Sequence, residues 1–420
     1  MSKKFILSFL LLMALFVSAQ GAPLPRENSD VVGKVIVGYQ AWFNCHGDGS
    51  PVNSWKHWAS TGMTPPGSPG IKHTFELYPD VREYTSLFNT KFADLGNGQP
   101  AKLFSSYSDQ TINLHFQWMR DYGLDGAALQ RFGTEITGGA FKTQRDNIAN
   151  KVKNAAEAMG RKFYIMYDTS GMNTSFSSIL KNDWTETITG TLNLTSSPAY
   201  AKHDGKPVVC IWGLGFLKGV HPGDAAQSID LVNWFKSQGC YVIGGVPTYW
   251  REGINDSKPG FQDAYKTFDM IQPWLVGRIR NDDYKLEVIG ADWEYCQANG
   301  MDYAPVMFPG FAWSNWNGGP RNEIPRNHGD FLWRQAYNVR KLGIPSGYIA
   351  MFDEYDEGTA IAKAAEDASM IPTNQYFLTL DADGVRCSSD FYLRLAGDLT
   401  KMIKGQMPLT ATHPTAHWIH

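Results

Sequence analysis

Residues 347–358 read Gly347-Tyr348-Ile349-Ala350-Met351-Phe352-Asp353-Glu354-Tyr355-Asp356-Glu357-Gly358. The first half is an uncharged, largely apolar run of the kind that forms a buried strand, predicted here over Gly347–Asp353. It breaks directly into four carboxylates within five residues. Crowded at the end of a strand, they repel one another, so some must hold their protons to higher pH than usual. That is how one acid and one base are poised at the same pH. The plainer reading is an acidic, solvated loop, or an Asp cap on a helix over Thr359–Glu366.

Seven similar runs precede this one: Lys34–Tyr39, Asp125–Arg131, Lys162–Asp168, Pro207–Trp212, Tyr241–Val246, Met270–Trp274 and Tyr303–Phe308. Between most of them the apolar residues recur at helical spacing. Helices are expected over Thr111–Tyr122, Thr143–Met159, Ala225–Ser237 and Gly329–Leu342, and a last one over Asp390–Lys404. Gly123, Gly160, Gly239 and Gly343 stand at the helix-to-strand junctions. Eight strands alternating with helices predict an α/β chain folded as a (β/α)8 TIM barrel with extended βα loops. An open doubly wound sheet ranks second, because its G-x-G-x-x-G turn is replaced by Ala41–Asn53, a loop of aromatics, Gly and His. Two stretches exceed a minimal barrel: Gln40–Gly123 and the tail after Glu357.

Barrel chemistry gathers on the loops at the carboxyl ends of the strands. There the sequence offers Asp168 at the end of its strand, and Tyr249 and Arg251, with Trp250 and Glu252, after Tyr241–Val246. Phe311, Trp313, Asn315 and Trp316 follow Tyr303–Phe308 in a Gly-rich loop suited to a stacking platform. Trp42, His46, Trp55, His57 and Trp58 stand on the first loop. Aromatic faces suit the C–H face of a sugar ring. The two His lack the i, i+4 spacing of metal ligands and read as hydrogen-bonding groups. Asp381-Ala382-Asp383-Gly384 starts like a calcium loop without its closing Glu, so a tight turn is expected. Gln130 and Arg131 end their strand as rim or salt-bridge residues. Neither a metal nor a cofactor is called for.

The run Phe352–Thr359 resembles the F-N-E-W-H-E-G-T motif of glycoside hydrolase family 99, the endo-α-1,2-mannosidases and mannanases, related to the α-1,3-glucanases of family 71. Gly38-Tyr39-Gln40-Ala41-Trp42-Phe43 is similar to that family's first strand, G-Y-Y-x-W-F, and Asp121–Ala127 to its E-A-G-I-D-G-F. The resemblance implies a barrel hydrolase of α-linked polysaccharide or oligosaccharide, retaining through a 1,2-anhydro sugar. It implies Glu354 as base toward the sugar's 2-hydroxyl and Glu357 as general acid/base. Tyr39, Asp353, Tyr355 and Asp356 would join the substrate-binding set. This chain departs from the motif at Asp353, Tyr355 and Asp356, where the family has Asn, Trp and His, and its loop is more acidic for it.

Lys3 and Lys4, the apolar run Phe5–Val17 and the small residue Ala19 have the parts of a secretory signal. Residues 1–22 are therefore read as signal peptide and leader, 23–420 as one catalytic barrel domain, and the protein as secreted or periplasmic. The apolar run is too short for a span, which takes about 20 residues. A formal net charge of −3 with well-mixed signs disfavours nucleic acid and anionic membrane as partners. The 5 Cys are scattered and show no C-x-x-C pair, so neither a zinc site nor a disulfide framework is indicated, and Cys210 reads as a buried apolar residue. A monomer acting on a saccharide is expected. The alternatives are a non-catalytic carbohydrate-binding barrel, or the same fold acting on an α-glucan, a xylan side chain or an algal polysaccharide.

Overall fold

The computed structural model describes residues 28–66, 73–280 and 286–418; the expected signal and leader lie outside them. Its barrel strands are β1 Val35–Tyr39, β2 Gly126–Phe132, β3 Lys162–Asp168, β4 Lys206–Trp212, β5 Tyr241–Val246, β6 Met270–Pro273, β7 in two pieces (Asp302–Tyr303 and Val306–Met307) and β8 Gly347–Ile349. They pair in parallel in that order, and β8 returns to β1 with Val35 opposite Gly347. The first piece of β7 pairs with β6 and the second with β8. Pro305 between them has no N–H to give, and its carbonyl accepts from Tyr348 N at 3.2 Å. The sheet thus closes through one strand that changes partner, giving the (β/α)8 barrel that the alternation predicts.

The five expected helices are present at Asp109–Asp121, Gly139–Met159, Ala225–Ser237, Asp330–Lys341 and Phe391–Ile403. Gly160 turns left-handed after the second, at φ 61°, a conformation that side chains resist. Two further helices carry no clear periodic signal. Phe176–Asn182, continued as a wider turn over Asp183–Thr191, is masked by Ser, Thr and Asn, and Leu286–Ala298 is interrupted by Gly290. No helix of the described residues is long and apolar enough to cross a membrane.

Inside the barrel, Gln130 Nε2 lies 3.1 Å from Met166 Sδ and 3.3 Å from Tyr348 Oη. Gly38 makes room for this filling, since a Cβ there would sit 2.2 Å from Tyr348 Oη. Both stretches that exceed a minimal barrel pack on each other. Leu378 N donates to Glu76 O at 2.7 Å, Ala365 N to Tyr78 O at 2.8 Å and Asp80 N to Lys363 O at 3.0 Å. Under them Phe43 stacks on Trp58 at 3.9 Å, with Phe104 and Phe75 edge-on to Trp58. This brace lies behind the acidic loop. All five Cys are free and buried.

Candidate active site

The predicted eighth strand ends earlier than its sequence suggests, and the reason is the acidic loop itself. Past Ile349, Ala350 N still donates to Met307 O at 2.8 Å and Phe352 N to Gly38 O at 2.7 Å, and the chain then returns beside itself. Met351 N donates to Thr359 O at 3.1 Å, Ile361 N to Met351 O at 3.0 Å and Ala362 N to Phe352 O at 2.9 Å. Residues 353–358 are therefore a closed loop clamped at its neck, and no helix forms over 359–366. Buried Arg326 holds the far side, giving Nη2 to Gly358 O at 2.8 Å and Ala360 O at 2.7 Å.

The four carboxyls of this loop have different surroundings. Asp353 accepts from Gln40 N at 2.8 Å and Ala41 N at 2.9 Å, so it anchors the chain leaving β1; burial pushes it up to about 7. Glu354, 5% exposed, accepts from Gln40 Nε2 at 3.1 Å and Thr359 Oγ1 at 2.9 Å. Burial raises it well above the usual range, and the Glu357 and Asp356 carboxyls add to this when ionised. Asp356 is fully buried, with Oδ2 3.1 Å from His57 Nδ1, and burial raises it too. Glu357 is pushed up to about 8 by burial and then by the Asp356 carboxyl when ionised, while the Arg278 guanidinium pulls the other way.

Glu354 and Glu357 open onto a cavity of about 690 Å³ at the carboxyl ends of the strands. Its lining places Trp42 and Phe132 near β1 and β2, Asp168 on β3, Trp212 on β4, Trp274 after β6, and Phe311, Trp313 and Trp316 after β7. Asp168 is pushed up to about 6 by burial, with Ser170 N donating to it at 2.7 Å. Trp42 stacks on His57, 3.8 Å away and 7° from parallel, and on Phe132 at 5.4 Å, and the Arg145 guanidinium lies over the Phe132 ring at 4.7 Å.

Several expected site residues stand elsewhere. Tyr39 is fully buried on the helix side of β1, bonded to His115 Nδ1 at 3.0 Å. Tyr355 points into the Phe43–Trp58–Phe104 cluster and donates to Lys363 O at 3.0 Å. Strand alternation explains Tyr39: one residue before the loop, it faces away from the barrel axis. Arg251 is engaged by Asp292 at 3.1 Å and by Glu252, and Tyr249 is not part of the cavity lining. Trp55 and Trp58 are core, His46 is exposed, and Asn315 staples its loop to Phe75 O and Tyr376 O at 2.9 and 3.0 Å. Arg131 is a buried ion-pair residue, 2.5 Å from Asp183. Asp381–Gly384 is a turn, closed by Gly384 N to Asp381 O at 2.8 Å.

Other residues enter the site without notice from the sequence. Gln40, Phe216, His221 and Arg278 line the cavity, beside Gln130, which its place at the end of a strand had put at the rim. Buried Glu76 fixes the Trp313–Trp316 loop by accepting from Ser314 N at 2.5 Å and Asn322 N at 2.8 Å. Trp212 and Trp274 were readable: each ends a predicted strand at the rim, where a barrel keeps its site. Among the described residues, no group of three or more His, Cys, Asp or Glu is placed to hold a metal.

No protein-family model matches the chain, and no curated protein sequence matches it. Solved structures do. The family 99 endo-α-mannosidase of Bacteroides thetaiotaomicron superposes with a TM-score of 0.63 at 15% identity, over 89% of this chain and 98% of that one. The same enzyme in complex with bis-tris-propane gives 0.63 at 14% identity, over 90% and 98%. A glycoside hydrolase-like protein gives 0.50 at 15% identity, over 80% and 97%. The fold is thus that of the family 99 structures, in agreement with the resemblance carried by the motif.

Proposed function

We propose that this chain is a glycoside hydrolase that cleaves an α-linked oligosaccharide or polysaccharide with retention, using Glu354 and Glu357. The observation that carries the reading is the placement of these two glutamates. They lie together on a clamped, buried loop, and both open onto an aromatic cavity at the carboxyl end of the barrel. Two carboxyls, one ionised and one protonated, are what glycoside cleavage uses. Burial raises both glutamates, and at Glu354 the hydrogen bond from Thr359 works against that rise and favours the ionised form. The proton on Glu357 persists to about pH 8.

The steps follow from that division. Glu354 takes the proton of the sugar's 2-hydroxyl as O2 attacks C1. The C1–O bond to the leaving sugar breaks, and Glu357 protonates its oxygen. A water then attacks C1 of the 1,2-anhydro sugar, giving its proton to Glu357, while Glu354 returns its proton to O2. Two inversions at C1 give net retention. Trp212, Trp274, Trp313 and Trp316 supply ring faces for the sugars. Export through the N-terminal signal belongs to the same reading, since a polysaccharide is met outside the cytoplasm.

A panel of α-mannans, α-glucans and algal polysaccharides tests the proposal. Release of oligosaccharides, with the anomeric configuration retained by NMR and the release lost in Glu357→Gln, supports it. Saccharide binding without release, unchanged in Glu357→Gln, would leave a carbohydrate-binding barrel instead.

A further inference from the structure

Asp356 stands where its carboxylate charge would do most harm. It is 1% exposed and flanked in sequence by both proposed catalytic glutamates. A buried carboxylate normally collects several hydrogen bonds. Asp356 Oδ2 has His57 Nδ1 at 3.1 Å, and Oδ1 has no side-chain partner among the described residues. His57 arrives from the loop after β1 and holds a left-handed backbone, φ 60°. Its ring lies flat on Trp42, which lines the cavity. The imidazole is thus fixed by stacking on one side and by Asp356 on the other.

We propose that His57 and Asp356 act as one proton-sharing pair of no net charge, and that His57 is thereby a positioning residue that keeps a third carboxylate charge away from Glu354 and Glu357. The inference rests on the hydrolase reading of those two glutamates. The proton count is the same in both forms of the pair. An Asp O–H donating to the bare nitrogen of a neutral ring, or an imidazolium N–H donating to the carboxylate, holds two protons and zero charge. The surroundings favour the uncharged form. His57 keeps 27% of its side chain exposed, yet burial and then the Arg145 guanidinium lower it to about 3, with Lys56 adding to this and Glu135 opposing it. Asp356 is raised by burial. The charged groups facing Glu357 are Asp356 on its own loop and Arg278 after β6, and Glu354 faces Glu357, Asp356 and Asp353. A bare carboxylate at Asp356 would therefore act on both working glutamates at once.

The test is the alkaline limb of kcat/KM on whichever saccharide is cleaved. His57→Asn keeps a residue that accepts the left-handed backbone but removes the ring that holds the Asp356 proton, so Asp356 ionises at lower pH than it does in the pair. The limb is expected to move up by about one pH unit, the effect of a like charge close by. Asp356→Asn is expected to leave the limb in place, and the double variant to restore it in the His57→Asn background. A limb lowered by Asp356→Asn alone, or one indifferent to His57→Asn, overturns the pair. Histidine 15N NMR on the unaltered protein gives an answer that needs no turnover. The His57 ring is expected not to titrate between about pH 5 and 8, and a titration near the ordinary value of about 6.5 overturns the proposal. Absence of hydrolysis on every saccharide would sink the hydrolase reading, and the NMR result alone would then decide the pair.

Discussion

The two walls of the cavity are held in different ways. On the β8 side, Asp353 accepts two backbone N–H groups, Glu354 accepts from Gln40 and Thr359, and Arg326 grips the loop's carbonyls. On the β4–β6 side the cavity is formed by Trp212, Phe216, His221 and Trp274 packed ring to ring, with Trp212 4.7 Å from Phe216 and 5.4 Å from Trp274. There Trp212 Nε1 and His221 Nδ1 have no partner among the described residues. The nearby loops expose Leu217 at 50%, Val220 at 63% and Ile254 at 50%. A hydrogen-bonded frame fixes atoms to fractions of an ångström, as proton transfer requires. Ring faces bind without strict geometry, and can be exchanged residue by residue without loosening the frame.

If that division holds, the two walls respond differently to mutation. Glu354→Gln and Glu357→Gln should each lower kcat by about 10²–10⁴-fold, the range for losing a positioned acid or base, with KM little changed. Steady-state kinetics on the released saccharide reads this directly. Asp353→Ala should act through the frame. It leaves the N–H groups of Gln40 and Ala41 buried without an acceptor, at about 1–3 kcal/mol each, so a lowered melting temperature should accompany a fall in kcat. An Asp353→Ala protein with unchanged melting and unchanged kcat would show that the β8 wall is no frame at all.

The same contrast explains what could be read from the sequence. The Asp353–Glu357 wall is local: five consecutive residues after a recognisable strand, so its acids stand out in the sequence alone. The barrel was legible for a similar reason, because buried strands and Gly-stopped helices repeat along the chain. What was hidden is non-local. Gln40 meets Glu354 across more than 300 positions, and His57 meets Asp356 across nearly as many. Tyr249 and Arg251 sit at the carboxyl end of a strand, yet Asp292 on a helix without clear periodicity draws Arg251 away. Trp55 and Trp58 show the remaining ambiguity: an aromatic on a long loop suits a sugar platform or a core beneath the loop, and only the partner segment 363–378 decides between them.

Trp274→Ala should give the opposite kinetic pattern to the glutamate variants. Removing a ring face from the β4–β6 side takes away binding shared by ground and transition state, so KM should rise about tenfold, roughly 1.4 kcal/mol, while kcat stays within about twofold. A kcat loss as deep as that of Glu357→Gln would mean that this wall also places atoms for the chemistry.

The smallest expected effect concerns pH, and it ties the two walls to stability. Glu357, Asp353 and Asp292 hold their protons to about 8, 7 and 7, and Asp168 to about 6, each chiefly because it is buried. In the unfolded chain such groups ionise near 4. The folded state therefore binds more protons across this window. Stability from these groups is full below about pH 4 and is lost as pH rises through 6 to 8. Asp367 works the other way: the hydrogen bond from Ser369 lowers it, so its contribution is present above the usual carboxylate range and fades in acid. Melting scanned by calorimetry should peak at mildly acidic pH and fall by a few degrees toward pH 9. On the proposed mechanism, activity should fall over the same alkaline range as Glu357 loses its proton. Glu357→Gln separates the two: it should flatten part of the alkaline fall in melting while abolishing turnover. A variant that melts higher than the native protein at pH 9, yet cleaves nothing, would show that the catalytic proton is held at the expense of the fold. An unchanged alkaline slope would place the destabilising charge elsewhere, with Asp292 the next candidate because it lies outside the cavity.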